Sequence, residues 1–281
     1  MLPLTGSLTI QTMINDQFLV YDETPIWSAP FGLTLLETIT MVPRINILDI
    51  GSGGGFPMIE LAERFGISCQ VYGLDPSEDS ITMIREKIRL KEIRNASIIQ
   101  GVAENIPFQD DFFGLITSNN GLNNVQDIGK TLRECFRVCR PSAQMIATMN
   151  LPHTMVEFYE VFEQILEEHG LNDAIQKMKK HIQEKRKPVE YWKELILDAG
   201  FSIKTINVDG FKYRYSDGSA FFHHFLIRNY FMGPWRSLIP EDKSGEIFRE
   251  TEQKLNSLAE REGELVMEVP YVCFDCVKKY R

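Results

Sequence analysis

The chain has 281 residues, enough to bury a sizeable core as one large domain or a core with an appended cap. Its formal net charge of −9 argues against nonspecific binding to nucleic acid, whose phosphates it would repel, and favours small or neutral partners. No signal-like N-terminal pattern and no uninterrupted apolar stretch of about twenty residues occurs, so a cytoplasmic protein without a membrane span is expected, and five unevenly spaced cysteines suit reduced thiols.

In chain order, the run Tyr21–Pro30 holds two prolines and two large aromatics and reads as a loop. Phe31–Met41 reads as a helix with Phe31, Leu35 and Ile39 on one face, ended by Pro43. Strand and helix then alternate. Asn46–Ile50 is a strand buried on both faces, Met58–Arg64 its helix, and Cys69–Leu74 a second strand ending at Asp75. Ser77 can cap a helix to about Leu90. Ala96–Gln100 and Gly114–Ser118 are the third and fourth strands, and Val125–Arg140 a helix stopped by Pro141. Gln144–Met149 is the fifth strand.

Beyond Asn150 the expected elements are a helix over Pro152–Glu168, another over Pro188–Ala199, and a strand over Phe201–Val208 that Phe211–Tyr215 extends or pairs with. An aromatic helix Ser219–Phe231, a polar helix Glu241–Arg261 and a last strand Leu265–Lys278 complete the chain. The basic run Lys177–Lys187 reads first as a solvated helix face and second as a phosphate contact. This order implies an α/β fold: a Rossmann-like, doubly wound, seven-stranded and mostly parallel sheet with helices on both faces, plus N-terminal and C-terminal helical and aromatic cap elements. The expected divisions are residues 1–44 as a lid and helix, 45–150 as the cofactor-binding core, and 151–281 as the rest of the sheet with inserted cap helices.

The stretch Asp49-Ile50-Gly51-Ser52-Gly53-Gly54-Gly55 joins the first strand to a helix. Its glycines allow positive φ and a close approach of backbone to a polar ligand. A dinucleotide fingerprint would place glycine where Phe56 stands, and the Gly-Lys-Ser/Thr ending of a phosphate loop is absent. Asp75, ending the second strand, can accept from both hydroxyls of a ribose. The combination resembles the class I S-adenosylmethionine-dependent methyltransferases over roughly Ile45–Asn150, within the broad group that includes the ubiquinone and menaquinone methyltransferases.

The resemblance implies a cofactor, S-adenosyl-L-methionine, approached by Gly51, Gly53 and Gly55, with Asp49 orienting the loop and helping to hold the amino group. Asp75 would bind ribose and Pro76 lie against adenine. Ala103 and Glu104, in the segment Gly101–Phe108, would read the adenine edge, and Ser118 and Asn119 lie under the methionine moiety. Where the family often has an aspartate that accepts from the adenine amino group, this chain has Val102, whose side chain cannot accept.

The resemblance implies methyl transfer to a small-molecule acceptor by in-line displacement, in which the protein aligns the nucleophile, excludes water and, where required, removes a proton. No universal catalytic residue is expected. Histidine as a residue type has an unperturbed pKa suited to a base, so His153 and the pair His223 and His224 are candidates, with an ordinary structural role as the alternative for each. Tyr21 and Trp27, by resemblance to enzymes whose N-terminal segment closes the site, are candidates for a lid, with ordinary packing as the alternative. The cluster Phe221, Phe222, Phe225, Leu226, Tyr230, Phe231 and Trp235 suits core packing, a substrate cap or the surface of a homodimer. Cys273 and Cys276 have CxxC spacing inside a strand, where residues three apart face opposite sides, so structural thiols rather than a metal site are expected. A non-enzymatic adenosyl-binding protein and a nicotinamide oxidoreductase are the alternative functions, the latter opposed by Phe56.

Overall fold

A computed structural model describes residues 25–279 of the chain. The first half runs α1 (Pro25–Thr38), β1 (Asn46–Ile50), α2 (Met58–Phe65), β2 (Gln70–Asp75), α3 (Glu78–Leu90), β3 (Ala96–Gln100), β4 (Phe113–Asn119), α4 (Ile128–Val138) and β5 (Cys139–Asn150). The second runs α5 (Val156–Glu168), α6 (Asn172–Lys185), α7 (Val189–Asp198), β6 (Ser202–Tyr215), α8 (Gly218–His223), a π-helical turn (Ile227–Phe231), α9 (Met232–Arg236), α10 (Glu241–Glu262) and β7 (Leu265–Val277).

The seven strands form one sheet in the order β3-β2-β1-β4-β5-β7-β6, parallel except for β7, which runs against both β5 and β6. The fold class expected from the sequence is the one observed. Because the chain leaves β1 toward β2 and β3 and then returns to β4 and β5, the order reverses at β1 and β4, and their C-terminal ends open the crevice in which such sheets bind ligands. Local signals set the flanking helices. Ser77 caps α3 by accepting from the Ser80 N–H, with Glu78 and Asp79 in the first turn and Lys87 and Arg89 in the last, as the helix dipole favours. Asp127 likewise caps α4 through the Lys130 N–H.

Apolar clusters cover both faces of the sheet. One packs Leu35, Leu61 and Ile84 of α1, α2 and α3 on Ile47 and Leu115; the other packs Leu132 of α4 and Trp192 and Ile196 of α7 on Leu48, Ile116 and Phe274. A third cluster builds a cap. Pairing of β7 with β5 ends at Tyr271 opposite Asn150, whereas β6 and β7 continue paired to Tyr215 opposite Leu265. This two-stranded ribbon runs past the end of β5, and Tyr213, Tyr215, Met267 and Val269 on it pack with Phe158, Phe221 and Trp235, burying the last three completely. The ribbon therefore carries the aromatic cap beyond the C-terminal end of the sheet.

Three local expectations differ from the structure. The expected loop before Pro30 is helical from Pro25, with Pro30 inside α1, and the helix stops at Thr38 rather than Met41. Pro25 sits where a missing N–H costs nothing, and the lost bond at Pro30 is outweighed by packing of Phe31, which is fully buried. The expected helix Val125–Arg140 is trimmed by its Asp127 cap and by Cys139, which is extended and begins β5; Pro141 then falls in the irregular segment between Cys139 and Gln144. The aromatic helix breaks at the extended residue His224 into α8, the π turn and α9. Of the two readings of Phe211–Tyr215 the structure takes extension: Asp209-Gly210 lies inside β6, opposite Tyr271 and Pro270, and the strand runs on through it.

Candidate functional site

The floor of the site is the loop after β1. Gly51, Gly53 and Gly55 have φ of 70°, 50° and 97°, in the left-handed region that other residues enter at a cost. A Cβ on Gly51 would stand 2.9 Å from Gly121 Cα, and one on Gly121 would stand 2.6 Å from the Ile50 carbonyl oxygen. The loops after β1 and β4 thus touch backbone to backbone at the switch point, leaving the Gly51–Gly54 surface bare of side chains apart from Ser52. Asp75 Oδ2 accepts the Gly53 N–H at 2.8 Å and its Oδ1 the Ser77 N–H at 2.9 Å, which fixes the loop against the start of α3.

Behind the loop, Asp49 is completely buried. Its Oδ1 accepts from Thr117 Oγ1 at 2.8 Å, while Oδ2 has no hydrogen-bond partner. Burial pushes the carboxyl from an ordinary 3.8 up to about 7; Thr117 and Ser52 oppose that rise and the nearby Asp75 carboxylate adds to it. A glycine cradle backed by a buried acceptor without a donor fits a ligand that presents a cationic N–H group, and so fits the amino group of the expected cofactor.

The remaining expected cofactor residues take distinct places. Asn119 lines the cavity, donating to the Ser28 carbonyl at 3.0 Å and accepting from Thr148. Ser118 is buried and donates to the Ile50 carbonyl at 3.1 Å, so its hydroxyl joins β4 to β1. Glu104 Oε1 accepts the Gln126 and Asp127 N–H groups at 2.7 and 3.1 Å, tying the loop after β3 to the start of α4. Ala103 is buried, Pro76 is exposed, and Val102 offers a half-exposed apolar side chain. Asp75, Pro76, Ala103 and Glu104 lie outside the lining of the cavity described next.

That cavity, of about 620 Å³, lies between the glycine loop and the cap. Gly51–Gly54 and Asn119–Gly121 form its floor, Trp27 and Phe56 one wall, and Tyr230, Phe231, Pro234 and Trp235 its roof. Phe56 abuts the helix at Gly32, where a Cβ would collide with its ring, so the residue that departs from the dinucleotide fingerprint serves to seat α1 on the loop. Trp27 meets Phe31 and Phe231 edge to face and stacks on Tyr213, joining α1 to the cap. Tyr21 lies outside the described residues.

Neither His153, which is exposed, nor His223, whose Nδ1 is 2.8 Å from the Ser219 carbonyl oxygen, lines the cavity. His224 sits against the rings of Tyr213 and Tyr215, also outside the lining. The histidine that does line it is His181, with Lys185 and Arg186. Burial lowers the His181 pKa, and the Arg186 and Lys185 cations lower it further. The spacing of four residues between His181 and Lys185, which places both on one face of a helix, is the sequence signal for this wall; of the two readings of the basic run, the solvated face does not account for it. Cys273 and Cys276 are buried in β7, and burial pushes the Cys273 thiol up to about 11, away from reactive thiolate.

Comparison with known proteins places this geometry. A family described as "Methyltransferase domain" matches residues 42–198, more than half of the chain. Demethylmenaquinone methyltransferase of Geobacillus sp. (strain WCH70) is 34% identical over 115 residues, 41% of this chain and 49% of that protein, so the chain spans about half the length of the curated relative it matches. Among solved structures, the YcgJ protein of Bacillus subtilis superposes with a TM-score of 0.56 at 16% identity, covering 89% of this chain and 98% of that one. The [4+2]-cyclase SpnF does so with a TM-score of 0.54 at 15% identity, covering 90% and 81%. These two likenesses show the fold alone, and the presence of a cyclase illustrates that the fold does not dictate the reaction. The family match over 42–198, on a sheet of this strand order, shows that the chain belongs to the class I S-adenosylmethionine-dependent methyltransferases.

Proposed function

We propose that the chain transfers a methyl group from S-adenosylmethionine to a small-molecule acceptor held between the glycine loop and the aromatic cap. The observation that carries this reading is the unpartnered, fully buried Asp49 Oδ2 on the strand that leads into a glycine loop lining a roofed cavity. Gly51, Gly53 and Gly55 would admit the methionine portion, Asp49 would take its ammonium group, and Asn119 would lie beside it. Asp75 would receive the ribose, since a carboxylate that already accepts two backbone N–H groups retains lone pairs for hydroxyls. Adenine would lie near Pro76, Ala103 and Glu104, with the exposed Val102 offering apolar contact in place of the family's acceptor.

When bound, S-adenosylmethionine supplies a methyl group on a sulfonium leaving group. The chain's residues then have three tasks: to hold the acceptor in line, to keep water out and to take up a proton where the acceptor must lose one. Trp27, Phe231 and Trp235 serve the second. His181 is the imidazole that faces the cavity, and its lowered pKa keeps it neutral at pH 7 and able to accept a proton.

Calorimetric titration with S-adenosylmethionine, S-adenosylhomocysteine and NAD, followed by transfer of label from methyl-labelled cofactor into a metabolite extract, tests the reading. Binding of both adenosyl compounds with labelled product is expected. Binding without transfer would leave an adenosyl-binding protein, and binding of NAD alone would reject methyl transfer.

A further inference from the structure

We propose, building on the methyl-transfer reading, that the acceptor carries an oxyanion, a carboxylate or phosphate, which Arg186 and Lys185 bind while its apolar body rests against Trp27, Phe231 and Trp235. Although the chain is acidic overall, among the described residues no aspartate or glutamate lines the cavity, whereas Lys87, His181, Lys185 and Arg186 do. The local polarity is opposite to that of the whole protein.

Arg186 is the centre of this wall. It is only 5% exposed, yet its partners are neutral: Nη1 donates to the Thr154 carbonyl at 2.7 Å, Nη2 to Tyr159 Oη at 3.3 Å, and the guanidinium lies over the Tyr159 ring. A guanidinium has five N–H donors in a planar fork, and these bonds use two of them. Withdrawing such a cation from water without an opposing carboxylate is costly unless a negative group meets it. The C-terminal end of α6, at Arg186, contributes only part of a negative charge. Other lysines of the same helix are matched: Lys179 pairs with Glu163 of α5 at 2.6 Å and Lys180 with Glu184 at 3.7 Å. Arg186 and Lys185, which face the cavity, have no such ion pair among the described residues.

Geometry and chemistry then agree on the ligand. A planar fork favours a carboxylate or phosphate taken through two parallel bonds, and the adjacent Lys185, exposed on the same cavity, adds a movable cation. The aromatic surfaces across the cavity suit a flat or apolar body. Arg186 also clamps the Thr154 carbonyl to the cap, so its substitution alone does not separate binding from packing.

The test uses the full chain saturated with S-adenosylhomocysteine and titrated with 2-naphthoate, 2-naphthyl phosphate and the neutral 2-naphthamide. At least one oxyanion should bind about tenfold or more tighter than the amide, and the tighter of the two identifies the anion. Lys185→Gln, at an exposed position, should reduce that preference at least about threefold, and Arg186→Lys, which keeps the charge but loses the fork, about tenfold. Affinity for S-adenosylhomocysteine should change by no more than about twofold in Lys185→Gln. Equal binding of the three probes, no binding of any, or a preference that survives both substitutions overturns the proposal. Loss of S-adenosylhomocysteine affinity with the preference intact would assign the cations to the donor instead and also overturn it. If the wild-type chain fails to bind S-adenosylhomocysteine but keeps a Lys185-dependent oxyanion preference, the methyl-transfer reading falls and the anion site stands.

Discussion

The Gly53 N–H donates to Asp75 Oδ2 across 2.8 Å, so the acid that ends β2 holds the loop that follows β1. Its other oxygen receives the Ser77 N–H, which makes Asp75 both an organiser of the loop and the proposed ribose acceptor. Asp75→Ala should weaken S-adenosylhomocysteine binding at least tenfold and lower stability by about 1–3 kcal/mol, on the usual worth of charge-assisted hydrogen bonds, without unfolding the chain. Calorimetry and urea denaturation read the two effects; unchanged affinity would remove Asp75 from the site.

Asp49 predicts a pH dependence. Its carboxyl titrates near 7 in the folded chain against 3.8 ordinarily, so between these values the folded state binds the extra proton. Its contribution to stability is therefore complete below about pH 4 and is lost as pH rises through about 7. A ligand ammonium stabilises the ionised form, so binding of S-adenosylhomocysteine should tighten over the same rise and release a proton near pH 6. Asp49→Asn should flatten the dependence of Tm on pH, raise Tm at pH 8, and weaken binding by roughly 10–100-fold. Calorimetry in two buffers of different ionisation enthalpy detects the proton, and its absence would assign the unpartnered oxygen another role.

Gly121 stands where the loops after β1 and β4 meet. Gly121→Ala would place a methyl 2.6 Å from the Ile50 carbonyl oxygen and 3.2 Å from Gly51 Cα, both backbone atoms that cannot swing aside. The substitution should cost about 1–3 kcal/mol of stability and loosen cofactor binding, since relieving the clash displaces Gly51. A circular-dichroism melt with a matched titration measures both; a neutral result would show that the loops slide past each other.

Trp27 joins α1 to the cap while facing the cavity. Trp27→Ala should reduce turnover at least tenfold while affinity for S-adenosylhomocysteine moves less than about threefold, because the loss falls on water exclusion and acceptor alignment rather than on the glycine loop. Equal turnover would reject the lid. The companion candidate Tyr21 can be tested in the same assay as Tyr21→Phe.

Much of the glycine-loop side of the cavity is legible in the sequence. The strand Asn46–Ile50, the glycines after it, Asp75 at the end of β2 and the Ser77 cap depend on residues a few positions apart, and their spacing survives in the structure almost unchanged. Less legible was the use of each side chain. Ser118 and Glu104 spend their hydrogen bonds on Ile50 and the start of α4, partners 68 and 22 residues away that no local pattern reports.

The sequence alone determined the fold class and the position of the glycine loop, because apolar periodicity and turn chemistry act over single elements. Tertiary structure decided what faces that loop. Pairing of β6 with β7 beyond the end of β5 carries the cap over the crevice, packing keeps Trp27 helical beside two prolines, and α6 brings His181, Lys185 and Arg186 to the cavity. Each depends on contacts between segments far apart in the chain, such as the Asn119 bond to the Ser28 carbonyl across 91 residues, and those contacts exist only once the sheet has closed the distance.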